Sequence, residues 1–440
     1  MLNVDITPHL EFLAADKPGQ KLFVMLKLRP TAEVSASRPH TTFAFVIDTS
    51  GSMYDDTELG QPKIDIVIKA LHNLVNSGQA DPRDRIALVQ FDDSASVVLP
   101  LTAATDTATL QNAIAQLKTF SGGTRMGLGM EETLKVLQNT DLTSRRALLF
   151  TDGHTFDESD CRDLAVQFAE AGIPITALGV GEEFNEDLLE NLIDRTSGNM
   201  SHIVETASSN GTDVSIADLP QTIFDQLQAA RAEVINNLKL NIRTVKGVEL
   251  QRISRVYPDR ADIILDREPY IIGSAQANDD TIFILEFDID SRASSRVRIA
   301  QIGLTYDVPG QQRRGELPPQ NLVVQFVPGQ GVAQTNAEVM GYVQQRNVSQ
   351  LVDRAAAVAE SNPEQAAQLL ETAKRVTVKI GNDAMLQSLN MSIDEVRKTR
   401  KLSSGTRKTV KMGAKGKTVK MSDSDTEGLS QEQIRKLTGT

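Results

Sequence analysis

Three oxygen-bearing side chains follow one apolar run within five residues. The run "FAFVID" ends at Asp48, and Ser50 and Ser52 come next with Gly51 between them. Glycine suits the tight turn that this spacing requires. Asp and Ser are also the residues favoured at a helix N-terminus, where their oxygens accept backbone N–H groups. Taken alone, the three residues fit a helix cap and a cation site equally well.

Two further polar positions favour the cation site. Thr124 ends the glycine-rich "SGGT", and Asp152 ends the apolar run "RALLFTD". Ligands of open parallel sheets bind outside the carboxyl ends of the strands, where Asp48 and Asp152 are expected. All five groups are oxygens, which suits a hard cation such as Mg²⁺, or Mn²⁺ in its place. Because three of them are neutral hydroxyls, the ion should keep positive charge and take an anionic ligand from outside.

The same residues form a known pattern. D-x-S-x-S at 48–52, the threonine of Gly-Gly-Thr at 124 and T-D-G at 151–153 resemble the von Willebrand factor A (VWA) domain and its metal-ion-dependent adhesion site (MIDAS). The resemblance runs from about 41 to 230, and its closing "GIPITALGVGEEFNEDLLENLIDRTSGN" is similar to that of many bacterial members.

The resemblance implies a Rossmann-like fold that binds Mg²⁺. It implies Ser50, Ser52 and Thr124 as direct or switchable ligands, with Asp48 and Asp152 acting directly or through water. It also implies a protein partner whose Glu or Asp completes the coordination.

Short apolar runs alternate with helical stretches between residues 41 and 235. The expected strands are "FAFVID", "RIALVQF", "RALLFTDG" and "PITALGVG", and the expected helices cover roughly 62–77, 106–118, 126–138, 158–172, 186–196 and 219–235. Continuous apolar strands separated by helices predict a mostly parallel sheet covered on both faces. The fold class is therefore α/β.

Strand patterns also occur on both sides of this α/β region. Residues 236–330 predict an antiparallel β-sandwich, and residues 1–40 predict strands that are too few for a domain of their own. We therefore expect the VWA domain, residues 41–235, to be inserted in the sandwich or followed by it, with residues 1–40 supplying the first strands. Residues 331–400 are helical by period and composition.

Residues 401–440 contain few large apolar side chains, which predicts a disordered basic tail. "KTVKM" occurs in it at 408–412 and again at 417–421. Thr409 and Thr418 have basic residues before them and methionine three positions later, and Thr426 has leucine there. This resembles substrates of basophilic Ser/Thr kinases whose phosphothreonine is read by forkhead-associated (FHA) domains. A plain basic tail fits the sequence equally well.

Composition narrows the class of protein. The net charge of -12 argues against nucleic-acid binding, and a single cysteine, Cys161, fits a reducing compartment. No signal or membrane segment is evident, so we expect a cytoplasmic protein without membrane partners.

The sequence favours an interaction module over an enzyme, because no general base or nucleophile converges on the motif. We expect a bacterial, intracellular, Mg²⁺-dependent module for protein–protein interaction, with a tail phosphorylated in signalling by a Ser/Thr kinase and read by an FHA-domain protein. The alternatives are an assembly partner of an AAA+ ATPase and a Mg²⁺-dependent hydrolase.

Overall fold

The chain folds as two units, one inserted in the sequence of the other. The computed structural model describes residues 1–79, 81–138, 143–206, 211–329 and 334–421. One unit comprises Met1–Thr31, Leu238–Tyr306 and Arg314–Thr440, and the second comprises Ala32–Asn237 and Asp307–Arg313.

The first unit begins with three strands. They are β1 (Leu2–Pro8), β2 (Phe12–Ala14) and β3 (Gln20–Pro30). β3 carries the uninterrupted apolar run from Leu22 to Leu26 and is almost entirely buried. A strand with such a run must be covered on both faces, because successive side chains point to opposite sides of the sheet.

The inserted unit alternates strands and helices, as the sequence predicts. Its elements are α1 (Ala32–Ser35), β4 (Thr41–Asp48), α2 (Lys63–Asn76), β5 (Arg85–Phe91), β6 (Ala95–Ala103), α3 (Thr107–Gln116), α4 (Met126–Gln138), β7 (Ser144–Thr151), α5 (Glu158–Glu170), β8 (Ile175–Val180), α6 (Glu186–Thr196), β9 (Asn199–Val204), β10 (Val214–Ser215) and α7 (Leu219–Ala232).

The strands of this unit form one sheet in the order β10-β9-β8-β7-β4-β5-β6. β4 lies inside it, parallel to β5 and β7, and all eight of its residues are buried. Phe43 and Phe45 on one face of β4 pack with residues of α2 and α7. The predicted mostly parallel α/β sheet is confirmed, and the edge strand β6 runs antiparallel to β5.

The rest of the sandwich follows the insertion. Its strands are β11 (Glu233–Thr244), β12 (Val248–Tyr257), β13 (Ala261–Ile263), β14 (Tyr270–Gln276), β15 (Thr281–Ile289), β16 (Ser295–Val308) and β17 (Arg313–Val327). They form two five-stranded sheets with β1–β3, in the orders β1-β3-β15-β12-β13 and β14-β11-β16-β17-β2.

Strands from the two sides of the insertion are hydrogen-bonded to each other. β3 pairs antiparallel with β15, from Leu28 opposite Thr281 to Gln20 opposite Ile289. This is the pairing that the insertion hypothesis predicts. The sandwich departs from the expected antiparallel pattern at one edge, where β2 runs parallel to β17.

Four helices close the described part of the chain. They are α8 (Ala337–Val358), α9 (Pro363–Ile380), α10 (Asp383–Thr399) and α11 (Ser404–Lys415). Asn362 caps α9 by accepting from the backbone N–H of Gln365, and Pro363 follows where its missing N–H costs nothing. α8 packs on the sheet of β3 through Tyr342 and Val343, which share a core cluster with Phe23.

The prediction of disorder from residue 401 is wrong for residues 404–421. α11 begins after the cap Ser403 and contains the first KTVKM copy, with Val410 and Met412 buried. The second copy, residues 417–421, has no regular secondary structure apart from an antiparallel bridge between Lys417 and Asp259, and we call it the C-terminal strap. Lys420 there pairs with Asp279 and Asp280, so charged side chains are satisfied by partners that composition cannot reveal. Residues 422–440 lie outside the described residues.

The C-terminal strap is bonded to the sandwich and to α8. The Thr418 hydroxyl donates to the carbonyls of Val256 and Pro258 at 2.7 and 3.1 Å. Val419 exchanges two hydrogen bonds with the side chain of Gln345, and the N–H of Met421 donates to the Tyr342 hydroxyl. In the described ranges, no helix combines the length and the apolar composition needed to cross a membrane.

His9 is a buried titratable group in the sandwich unit. Its Nδ1 accepts the N–H of Phe23 at 3.1 Å, and burial lowers the pKa of its imidazole to about 4. The folded chain therefore holds this ring neutral at pH values where the unfolded chain protonates it.

This low pKa predicts that the sandwich unit loses stability in mild acid. Below about pH 6.5 the unfolded state takes up a proton that the folded state refuses until about pH 4. The free energy of unfolding should fall by about 1.4 kcal/mol per pH unit across that window. His9→Gln keeps a hydrogen-bond acceptor but does not titrate. Its free energy of unfolding should therefore fall less between pH 7 and pH 5, because the contribution of the imidazole is absent. Urea unfolding of both proteins at pH 7 and pH 5 measures it, and equal losses would contradict the assignment.

Candidate functional site

Loops at the carboxyl edge of the parallel sheet bring the predicted site residues together. Asp48 is the last residue of β4, and Ser50 and Ser52 follow in a loop that turns into a short 3-10 helix, Gly51–Tyr54. Asp152 follows β7 directly, next to β4 in the sheet. Thr124 lies just before α4.

Asp48 organises the loop that follows it. Its Oδ1 accepts the backbone N–H of Ser50 at 2.9 Å, and its Oδ2 accepts the hydroxyl of Thr151 at 2.8 Å. The side chain is completely buried. Burial raises the pKa of Asp48 to about 6, partly offset by the hydrogen bonds from Ser50 and Thr151 and reinforced by the negative charge of Asp152. A nearby cation would lower that pKa again by favouring the carboxylate.

Ser52 and Asp152 extend the same network. The Ser52 hydroxyl donates to Asp152 Oδ1 at 2.7 Å, and its oxygen lies 3.3 Å from that of Ser50. The second carboxylate oxygen of Asp152 accepts from Lys63 Nζ at 2.9 Å. Both oxygens of Asp152 are therefore engaged by groups of the chain itself.

Lys63 is the site residue that sequence reasoning missed. It is the first residue of α2, it is buried, and it pairs with Glu205 at 3.1 Å as well as with Asp152. Burial opposes its charge, but hydrogen bonds and the charges of Asp152 and Glu205 outweigh burial and raise the pKa of its ammonium. No motif marks this lysine, because its partners lie 89 and 142 positions away along the chain.

Backbone bonds hold the Thr124 loop between the other two loops. Gly51 N–H donates to the carbonyl of Gly122 at 2.9 Å, and Phe156 N–H donates to the carbonyl of Thr124 at 3.0 Å. Thr155, which is buried, also donates its hydroxyl to that Thr124 carbonyl. Thr124 is thus cross-linked to the loops that carry the serines and Asp152.

The donor set fits a hard divalent cation. Two cis ligands of an octahedral Mg²⁺ lie about 3 Å apart, close to the separation of the Ser50 and Ser52 oxygens. Within the described ranges there is no group of three or more His, Cys, Asp or Glu side chains that could hold a metal ion. The candidate site has two carboxylates, and its other oxygens belong to hydroxyls.

The predicted phosphorylation sites lie elsewhere. Thr409 is in α11 and buried, and Thr418 is hydrogen-bonded within the C-terminal strap. Thr426 lies outside the described residues. The structure therefore connects Asp48, Ser50, Ser52 and Asp152 through hydrogen bonds and places the Thr124 loop beside them, whereas Thr409 and Thr418 are in packed positions.

Two family models match the chain. Residues 43–218 match the von Willebrand factor type A domain, and residues 337–420 match the Sll0103-like, C-terminal alpha-helical domain. The second match includes α11 and most of the C-terminal strap, which agrees with their folded positions.

Curated relatives extend the comparison. The Synechocystis protein "Uncharacterized protein sll0103" is 24% identical over 423 residues, 92% of this chain and 94% of that protein. The Escherichia coli protein YfbK is 28% identical over 192 residues, 42% of this chain and 31% of YfbK.

Solved structures share the fold. A von Willebrand factor type A protein from Catenulispora acidiphila has a TM-score of 0.77 at 17% identity, covering 96% of this chain and 97% of its own. The ArnB paralog VWA2 from Sulfolobus acidocaldarius has a TM-score of 0.59 at 14% identity, covering 94% and 98%. Residues 43–218 are therefore a von Willebrand factor A domain, in a chain whose residues 337–420 form an Sll0103-like helical domain.

Proposed function

We propose that the VWA domain binds a partner protein through a divalent cation, Mg²⁺ or Mn²⁺. VWA domains in general mediate protein–protein interactions. The proposed ligands are Asp48, Ser50, Ser52, Thr124 and Asp152. The observation that carries the proposal is the continuous network from Asp48 through the serines to Asp152, which gathers hydroxyl and carboxylate oxygens at one edge of the sheet.

The partner is proposed to supply an Asp or Glu carboxylate. Lys63 and the Ser52 hydroxyl already engage both oxygens of Asp152, so that carboxylate fits a role through water or through Ser52. The remaining direct donors are mostly neutral hydroxyls. A divalent ion held in this way keeps much of its charge, and an outside carboxylate is its natural further ligand.

We propose that the activity of the site is binding rather than catalysis. The proposed location of the protein is inside the cell. A cation with an open coordination position can bind a partner's carboxylate here without any additional catalytic group. The chain's own residues fix the ligands and neutralise Asp152, and the cation, when bound, supplies the electrophile that attracts the carboxylate.

Phosphorylation of the carboxyl-terminal region, with a Ser/Thr kinase and an FHA-domain reader, is a second part of the proposal. A phosphate on Thr418 would place a dianion against the carbonyls of Val256 and Pro258. Phosphorylation of Thr418 therefore requires release of the C-terminal strap. Thr409, which is buried, requires the same of α11. Thr426 shares only the apolar residue three positions later, Leu429.

Removing one carboxylate ligand should weaken metal binding. We expect Asp48→Asn to lower Mn²⁺ affinity at least tenfold, because a neutral amide replaces a charged ligand. Isothermal titration calorimetry measures the affinity, and thermal unfolding checks the fold. Asp106→Asn is the matched control, since Asp106 caps α3 in the same unit and asparagine caps equally well. An unchanged Mn²⁺ affinity of Asp48→Asn would contradict the proposal that Asp48 is a metal ligand.

Partner binding should require the metal. Proteins captured by the tagged chain in Mg²⁺ should be released by EDTA, and Thr124→Val should reduce the same set because it removes a hydroxyl ligand without changing side-chain volume. Mass spectrometry of the eluates, with the Asp106→Asn chain as control, measures this. Capture of the same proteins in EDTA would make the site merely structural.

A negative charge at position 418 should release the C-terminal strap. Thr418→Glu should speed amide exchange at residues 418, 419 and 421, whose N–H groups are bonded in the docked strap. Thr418→Val, which removes only the hydroxyl, should leave the strap docked. Hydrogen–deuterium exchange distinguishes the two, and phosphopeptide mapping of the chain from its own cells tests all three threonines. Full protection in Thr418→Glu would contradict the coupling between charge and release.

A further inference from the structure

The side chain of Phe156 lies on the surface, outside the apolar core of its unit. It is 80% exposed, more than any other large apolar side chain in the described ranges. It lies four positions after Asp152, on the loop between β7 and α5. An aromatic ring left in water forgoes the free energy that burial against a partner would supply.

The loop that carries Phe156 is held rigidly. Its N–H donates to the Thr124 carbonyl at 3.0 Å. The neighbouring Thr155 is buried, and its hydroxyl oxygen accepts the N–H of Met126 at 2.9 Å. Asp157 accepts the Gly127 N–H at 3.2 Å on the other side. The backbone under Phe156 is thus pinned to the start of α4, and docking would order little backbone there.

The ring lies beside the candidate metal site. A Cβ added to Gly123 would be 3.4 Å from Phe156 Cε2 and 2.4 Å from Asp93 Oδ1. The phenyl ring and the Asp93 carboxylate therefore flank the glycine that precedes Thr124. A side chain at 123 would displace that carboxylate, so the glycine lets Asp93 come this close. Asp93 is exposed and forms no ion pair within the described ranges.

We propose that Phe156 selects the partner segment whose carboxylate reaches the metal. This inference rests on the proposed function and names the partner chemistry. The segment carries an Asp or Glu for the ion, an aliphatic or aromatic side chain that packs on Phe156, and a basic side chain that faces Asp93. A rigid, exposed aromatic beside a polar anchor is the usual composition of a binding hot spot.

This contact supplies a selectivity that the metal lacks. A divalent ion accepts any accessible carboxylate, including those of small metabolites and of unrelated proteins. Burial of an apolar side chain against Phe156 favours only carboxylates with an apolar neighbour. Asp93 adds charge complementarity and repels segments that are acidic throughout.

The test uses the full chain and an array of short synthetic peptides. Each peptide has a central glutamate surrounded by combinations of leucine, lysine and serine. Fluorescence polarisation measures binding to the wild-type chain, Phe156→Ser, Asp93→Asn and Val378→Ser, each in Mn²⁺ and in EDTA. Val378 is the matched control, because it is 56% exposed and lies in α9 of the other unit.

The wild-type chain should prefer leucine-containing peptides over their serine counterparts by about tenfold. Phe156→Ser should lose that preference while its calorimetric Mn²⁺ affinity stays unchanged, and Val378→Ser should keep it. Asp93→Asn should lose the preference for lysine.

Two results would overturn the inference: a wild-type chain without leucine preference, including one that binds no peptide in Mn²⁺, or a Phe156→Ser chain that retains the preference. Undiminished peptide binding in EDTA would instead refute the metal bridge of the proposed function. The preference for leucine over serine peptides would then still be measured in EDTA.

Discussion

The buried carboxylate of Asp48 is the constraint on which the candidate site depends. It ends a strand whose residues are all buried, so it has no access to water and must be satisfied by the chain or by a cation. One oxygen fixes the backbone at Ser50 and the other fixes Thr151 in the next strand. The serine loop and the start of the Asp152 loop are therefore set by one group. Burial that raises its pKa is also what makes a nearby cation favourable, since the ion returns the charge that water would have stabilised.

Lys63 balances the negative charges of Asp152 and Glu205 within the inserted unit. Its ammonium stands between Asp152 and Glu205, and both ion pairs are largely shielded from solvent. Loss of the ammonium alone would leave two carboxylates facing each other beside Asp48. Such a break in a buried ion pair typically costs about 3–5 kcal/mol. Lys63 thus stabilises the domain and also compensates negative charge at the carboxyl edge of its sheet.

The sequence predicted the α/β unit well because its signals are local. Buried parallel strands are continuous apolar runs, and the α6 prediction, 186–196, agrees with the structure because Asn185 caps the helix and the apolar period is strong. The five candidate ligands could be proposed because Asp48 ends β4, Asp152 follows β7 and Thr124 precedes α4, all of which are local signals. Lys63 and the roles of Thr151, Thr155 and Phe156 could not, since each depends on contacts between distant loops. The prediction for residues 404–421 is wrong for the same reason: Val410 packs with residues of α8, α9 and α10, and Met412 is buried, contacts that composition does not reveal.

The pairing of β3 with β15 sets an order on biosynthesis. A ribosome makes the chain from its amino terminus, so β3 emerges long before the strand that covers it. At ordinary rates of translation the intervening stretch takes roughly 10 to 50 s to synthesise. During that time the inserted domain has been synthesised and can fold, while the apolar run from Leu22 to Leu26 lacks β15, its neighbour in the finished sheet. Nascent-chain chaperones have a defined target in this strand, and premature termination after the insertion but before β15 leaves the inserted domain attached to a β3 that is paired with β1 on one edge and open on the other.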